Sequence, residues 1–391
     1  VVLSEEYTVK DYLDSSSWLS QLSYQRAWVE IDHSALIHNV QEIKKILGPK
    51  TALMGVVKAD AYGHGNVAQT LLDAGCSSLA VATLNEGIEL RKAGITASIL
   101  LLGATNTPAE IKAIALWDLE PTLCDHHQAL LYSDTLKALG ATLRVHLKLD
   151  TGMSRLGVPW YEATSFASLV QRLPGLEIAS IYSHLATADD PNPQVMSLQQ
   201  ERYEEAIAQL NLHNLTPPCL HLANSAATLS DRTCHYDLVR VGLALYGLYP
   251  AAHLRKVVSL RPVLQVKARV TQVKTIPPGT GVSYGHQFIS DRSLRIAVVG
   301  IGYADGVPRR LSQRLQVLLR GQLVSQIGAI TMDQLMLDVS AIPDLQVGEV
   351  VTLLGKQGNI SLEVDQWASL LGTISWEILC GFKNRLPRVN Q

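Results

Sequence analysis

Lys58 is the first residue whose setting points to chemistry. It follows the apolar run LMGVV, which strips water from its stem. Desolvation disfavours an ammonium ion and makes the amine a better nucleophile and base. Position alone favours an ordinary lysine whose head group reaches back to solvent. The next segment, DAYGHG (60–65), shifts the balance, because its two glycines and compact polar groups let a backbone approach a bound ligand closely. Further on, Lys148 and His184 stand near the ends of two other apolar runs. Asn224 and Ser225 mark a strand-to-helix handover, where free N–H groups and the helix dipole attract phosphate. A serine there is also an ordinary cap. Arg240 ends another run, with Gly242 beside it, and needs an acceptor. A structural ion pair is the plain alternative. His64 and His184 lack HxH or HExxH spacing and have no neighbouring Cys or carboxylate, so no metal site is expected.

These side chains share one place in the local pattern, and the elements explain why. Short apolar runs occur at 53–57, 78–82, 98–102, 119–123, 143–149, 176–182, 219–223 and 238–242. Helix-like stretches such as 85–93 and 194–212 separate most of them. Buried strands alternating with helices read as βαβ units, and eight of them suggest a closed (β/α)8 TIM barrel within residues 1–260. The carboxyl ends of such strands meet on one face, which is where the polar residues above fall. An open doubly wound sheet has the same local signal, but no GxGxxG loop follows a first strand. After residue 260 the rhythm changes. VLQVKARVTQVKT (263–275) alternates apolar and polar, and shorter runs follow at 294–302, 315–319, 334–339 and 350–354. A C-terminal, mostly-β domain over 261–391 is expected, giving an α/β fold class overall. AWVEID (27–32) is strand-like and is a candidate strand of that second domain. A helix over 34–47, stopped by Gly48, comes next.

The bulk numbers set limits. The chain has 391 residues, 47% of them hydrophobic and 17% charged, enough to bury a large core. A net charge of -2 removes the electrostatic case for nucleic acid or an anionic membrane. No run approaches the ~18 apolar residues of a membrane span. Five cysteines, widely spaced and odd in number, argue against a disulfide framework and for a reducing cytoplasm. Residues 1–25 are polar and mixed in charge. They read as a loosely docked arm rather than a signal peptide.

Taken together, the motifs resemble the alanine racemase family, fold-type III pyridoxal-phosphate enzymes. The resemblance runs from about residue 26 to the end. It rests on VVKADAYGHG (56–65), HLKLDTGMSRLG (146–157), YSHLATAD (182–189), HLANSAAT (221–228) and VRVGLALYG (239–247) in the first domain. VSYGHQF (282–288), IGYADGVPR (301–309) and TMDQLMLD (331–338) continue it in the second. Eight such strings in the family's order are highly specific.

The resemblance implies the following roles. Lys58 binds pyridoxal 5'-phosphate through its amine and acts as one base. Tyr284, reaching in from the second subunit of a homodimer, is the opposite base. Tyr62, Ser225, Gly242 and Leu243 hold the phosphate, with Asn224 beside them. Arg240 faces the pyridine nitrogen, and His184 links Arg240 to Tyr284. Arg155 and the Met332 backbone hold the substrate carboxylate. Lys148 matches a lysine often carbamylated in this family, which would position Arg155. Tyr303, Asp333, Asp189 and Arg309 support the site and its entrance. The implied activity is interconversion of L- and D-alanine, the latter for cell-wall peptidoglycan.

That chemistry needs these parts. Racemisation takes the α-proton from one face and returns it to the other, so two bases on opposite sides suffice. An Arg at the pyridine nitrogen cannot accept a proton, so the ring stays a weaker electron sink than an Asp there would make it. Trp376, in TISWEILC, stands where the family usually has a tyrosine that touches the phosphate and narrows the substrate mouth. Ala329 stands where an arginine is common, and Thr331 replaces a frequent cysteine. These departures bear on substrate choice, and a broader amino-acid (serine) racemase is the nearest alternative. Arg240 and the VSYG tyrosine argue against a decarboxylase of the same fold. The second domain argues against a single-barrel cofactor carrier.

Overall fold

The computed structural model describes residues 26–391, so the expected arm at 1–25 lies outside the described residues. The chain forms two units, His33–Val263 and a second made of residues 26–32 with Leu264–Gln391.

In the first unit, eight strands run parallel in the order Leu238–Val241, Ala52–Val56, Ser78–Val81, Ile99–Leu101, Glu120–Leu123, Leu143–Asp150, Leu176–Tyr182 and Leu220–His221. Asp237 N donates to the Leu220 carbonyl (3.0 Å) and Arg240 N to the Ala223 carbonyl (3.0 Å), which brings the last strand back to the first. Most of these strands are buried on both faces, so they read as continuous apolar runs rather than alternating ones. Helices cover the outside. His33–Ile46 buries Ala35, Leu36, Asn39, Val40 and Ile43, one stripe at helical spacing. Leu84–Lys92 and Pro108–Leu116 each open with a Thr–Glu capping box, from Thr83–Glu86 and Thr107–Glu110. The expected run 219–223 contracts to two paired residues, because the chain is already turning toward the helix Ser225–Ser230.

In the second unit the strand order is Ile360–Leu362, Val350–Gln357, Gln316–Leu319, Gln322–Ile327, Leu335–Asp338, Leu294–Val299, Leu264–Ile276, Ala27–Ile31, Arg388–Asn390. Val350–Gln357 also pairs with Leu264–Ile276, so the sheet curls back on itself. The long strand Leu264–Ile276 alternates buried and half-buried positions through its first half, as its sequence predicts. Ala27–Ile31 pairs antiparallel with it, Val29 opposite Val266, which takes AWVEI out of the barrel. Two short helices, Val364–Leu371 and Ser375–Gly381, complete this unit. No helix among the described residues is long and apolar enough to cross a membrane.

Candidate active site

Strand Ala52–Val56 delivers Lys58, and the backbone after it is unusual. Ala59, Asp60, Ala61 and Tyr62 all take left-handed dihedrals, with φ between 51° and 55°. A non-glycine residue costs on the order of 1–2 kcal/mol in that conformation, so four in a row need support. Glu86 provides part of it. One carboxylate oxygen accepts from Ala59 N at 2.7 Å, and the other accepts from Ala82 N at 2.8 Å and Thr83 N at 3.0 Å. The turn also closes on itself through Ala61 N to the Val57 carbonyl (2.9 Å) and Gly65 N to the Asp60 carbonyl (3.0 Å). Tyr62 is buried with its ring 5.0 Å from that of Tyr246, whose hydroxyl donates to the Val56 carbonyl at 2.9 Å.

Asn224, not Ser225, caps the helix Ser225–Ser230, accepting from Ala227 N at 3.1 Å. This frees the buried Ser225 hydroxyl for a different task. It accepts from Gly242 N (3.0 Å) and Ala244 N (3.4 Å), joining the helix start to the GLA turn that carries Leu243. A Cβ on Gly242 would lie 2.4 Å from the Tyr62 hydroxyl oxygen, so glycine permits that approach. Tyr62, Ser225, Gly242 and Leu243 are thereby brought to one place.

Arg240 is 4% exposed, and carbonyls and histidines surround its guanidinium. It donates to the carbonyls of Ser183 (2.8 Å), Leu222 (3.2 Å) and His221 (3.3 Å). It also donates to Nδ1 of His184 (3.2 Å) and Nδ1 of His221 (3.1 Å). Both imidazoles therefore accept on Nδ1, and their ring protons belong on Nε2. Burial, helped by the Arg240 charge, pushes both histidines well below their usual range, so each is neutral. No carboxylate among the described residues pairs with Arg240. Its charge instead lies 5.0 Å from the Tyr182 ring centroid.

Lys148 is 5% exposed and sits over the same Tyr182 ring, 5.4 Å from its centroid. Burial and then the nearby Arg240, Arg155 and Lys58 charges push its ammonium down to about 8. The same four cations bear on His184. Lys58, Lys148, Arg155 and Arg240 thus bring positive charge together at the carboxyl ends of the barrel strands, and the largest influences on Lys148 include no carboxylate. Arg155 and Asp189 are exposed residues of the same unit.

The remaining expected residues belong to the second unit. Tyr284 is 73% exposed and follows Ser283, whose φ is 65°. It lines a concavity of about 700 Å³ with Thr271, Ser283, Thr331 and Gln334. Two loops are tied together beside it, with Tyr303 N donating to the Thr331 carbonyl (2.9 Å) and Ala304 N to the Met332 carbonyl (3.0 Å). Asp305, fully buried, takes a two-pronged bond from Arg26 at 2.7 and 2.8 Å, and Arg385 bridges from Asp305 to Asp333. Met332 is 52% and Tyr303 42% exposed, and Arg309 is exposed. Trp376 is half-buried in Ser375–Gly381, and Ala329 is buried, its carbonyl accepting from the Ser283 hydroxyl. Among the described residues no three His, Cys, Asp or Glu side chains converge as a metal-ligand set.

Reading residues by type misses several that hold this site. Glu86 is visible in sequence only as a capping glutamate. His221, His146, Ser180 and Glu120 lie inside the barrel below Arg240. His146 and His221 lie in the family-like strings HLKLDTGMSRLG and HLANSAAT, but nothing in their spacing shows that they touch.

The model of the alanine racemase N-terminal domain matches residues 31–250, and that of the alanine racemase C-terminal domain matches residues 263–390. The chain is 66% identical over 367 residues to an alanine racemase of Synechocystis sp., covering 93% of this chain and 99% of the relative. It is 63% identical over 380 residues to an alanine racemase of Nostoc sp., covering 96% and 97%. Among solved structures it matches the alanine racemase of Bacillus anthracis with bound L-Ala-P at TM-score 0.89 and 35% identity, over 94% of this chain and 95% of that one. The alanine racemase of a D-cycloserine-producing Streptomyces lavendulae follows at TM-score 0.87 and 34% identity, over 94% and 97%.

Proposed function

We propose, given that this chain belongs to the alanine racemase family, that it interconverts L- and D-alanine with pyridoxal 5'-phosphate by moving the α-proton between Lys58 and Tyr284. The observation that carries the reading is the convergence of Lys58, Lys148, Arg155 and Arg240 at one end of the barrel, with Lys148 and Arg240 buried, a concentration of positive charge that suits an anionic occupant. A phosphate-bearing ring plus a substrate carboxylate meets that need. Tyr62, Ser225, Gly242 and Leu243 would hold the phosphate, with Asn224 fixing the helix start and Trp376 the outer edge. Arg240 would face the pyridine nitrogen. Bound there, the cofactor supplies an electron sink that acidifies the substrate's α C–H.

The protein's own groups do the rest. Lys58 Nζ takes or returns the proton on one face, and the Tyr284 oxygen does so on the other. Tyr284 comes from a second copy of the chain in a homodimer. His184 accepts from Arg240 on Nδ1, so its Nε2–H is the end offered to that phenol. Arg155 and the Met332 N–H grip the carboxylate. The Met332 carbonyl is already taken by Ala304 N, while its N–H makes no hydrogen bond among the described residues. Asp333, Tyr303, Asp189 and Arg309 frame the entrance. D-Alanine made this way would serve cell-wall peptidoglycan.

The test is to load the purified protein with pyridoxal phosphate and follow optical rotation with L-alanine and with L-serine. The expected result is a violet absorption band, absent in Lys58→Ala, and loss of rotation with L-alanine. Faster loss with L-serine would move the function to a broader racemase and implicate Trp376. Unchanged rotation with both would overturn the reading.

A further inference from the structure

Below Arg240 a line of hydrogen bonds crosses the barrel interior. His221 Nε2 lies 2.7 Å from the Ser180 hydroxyl. That hydroxyl lies 2.6 Å from His146 Nδ1. His146 Nε2 lies 2.7 Å from Glu120 Oε2, and Glu120 Oε1 accepts from Arg144 at 2.7 Å. His221, Ser180, His146 and Glu120 are each no more than 9% exposed. Glu120 and Arg144 stand at the amino-terminal ends of their strands, and Arg240 near the carboxyl end of its own. The line therefore joins opposite ends of the barrel.

Its two ends dictate its direction. Arg240 can only donate, and an ionised Glu120 can only accept. Arg240 occupies His221 Nδ1, so His221 carries its proton on Nε2 and donates to Ser180. The Ser180 hydroxyl then donates to His146 Nδ1, and His146 donates from Nε2 to Glu120. Between those ends, His221, Ser180 and His146 each give one hydrogen bond and receive one along the line, with no freedom left to reverse. Packing reinforces the order. The Tyr182 ring stacks on His221 at 4.8 Å and 8°, and its hydroxyl pairs with Thr122 Oγ1 at 2.7 Å.

We propose that Glu120, His146 and Ser180 are positioning residues that lock the His221 tautomer and so aim the Arg240 guanidinium from the far end of the barrel. Without the acceptor-only terminus, His146 and Ser180 can turn over, and His221 can present an N–H to Arg240. Two donors would then face each other, and the guanidinium would have to rotate. The tautomer assignment stands on these contacts alone; the catalytic consequence rests on the role proposed for Arg240 above.

The experiment is 15N NMR of the full-length holoenzyme labelled at histidine, with signals assigned by single His→Gln variants. His146 and His221 are expected as pure Nε2–H tautomers in the wild type. In Ser180→Ala and in Glu120→Ala the His221 signal should broaden or split. In both variants kcat for alanine should fall about tenfold or more while KM stays within about twofold, because the relay touches no substrate. An Nδ1–H tautomer at His221 in the wild type would overturn the proposal, even with racemase activity intact. So would unchanged tautomers and kcat in both variants. Loss of the tautomer lock with kcat unaffected would overturn the aiming of Arg240 while leaving the racemase reading in place.

Discussion

Lys148 is a cation among cations, and its surroundings favour changing its charge. With its ammonium pushed down to about 8, a sizeable fraction is neutral amine at mildly alkaline pH. Neutral amine adds to carbon dioxide, releasing one proton to solvent and leaving an anionic carbamate. That anion would sit beside Arg155 and Arg240 and relieve their repulsion. We expect a carbamate carbon resonance after equilibration with 13C-bicarbonate, and none in Lys148→Arg. The same variant should raise KM for alanine several-fold through a misplaced Arg155. Tyr284 is tested differently. Tyr284→Phe removes one base only, so racemisation should fall by about 10²- to 10⁴-fold. Exchange of the α-proton of one enantiomer into D2O should persist, driven from the Lys58 side. Equal loss of exchange for both enantiomers would contradict separate bases.

At the scale of elements, the strand ends and the turns after them make the site. Strand positions were largely legible, because a parallel barrel buries its strands on both faces and leaves continuous apolar runs such as ALMGV at Ala52–Val56. The left-handed turn at Ala59–Tyr62 was not. Of Ala59–Tyr62 only Asp60 has any leaning toward positive φ, and the conformation is supported in part by a partner far along the chain, Glu86. The cap at Asn224 rather than Ser225 was likewise decided by which hydroxyl Gly242 and Ala244 recruit. The relay under Arg240 was hidden because its members come from four different strands or strand ends. In the second unit, QLVSQI at Gln322–Ile327 and the closing strand Arg388–Asn390 escape a reading that looks for strict alternation. Two predictions belong here. Glu86→Ala leaves three N–H groups without their acceptor and should speed amide exchange at Ala59 through Tyr62. Unchanged exchange would mean the turn is held by its own bonds. Gly242→Ala drives a methyl against the Tyr62 hydroxyl and should weaken pyridoxal-phosphate retention by about tenfold, read by dialysis.

For the whole molecule, buried neutral histidines set an acid limit. His184, His221 and His235 are all held below 6.5, chiefly by burial. Their native forms refuse a proton that the unfolded chain takes below that pH. Stability is therefore complete above about pH 6.5 and is lost as pH falls toward the depressed native values. Each such histidine contributes a slope of roughly 1.4 kcal/mol per pH unit within its window. Urea unfolding at pH 7.5 and 5.5 should show the loss, and His235→Gln should reduce it. Equal stability at both pH values would contradict the assignment.

The proposed function has Lys58 and Tyr284 act as paired bases, Tyr284 contributed by a second copy of the chain. It is tested most directly with a heterodimer of Lys58→Ala and Tyr284→Phe chains, co-expressed with different tags and purified through both. Each parent homodimer lacks one base at every site. In a shared-site dimer, one of the two heterodimer sites regains both. The account predicts about half the wild-type racemase activity per dimer, lost again when the chains are separated. A heterodimer as inactive as its parents would show that the two bases do not meet across the interface.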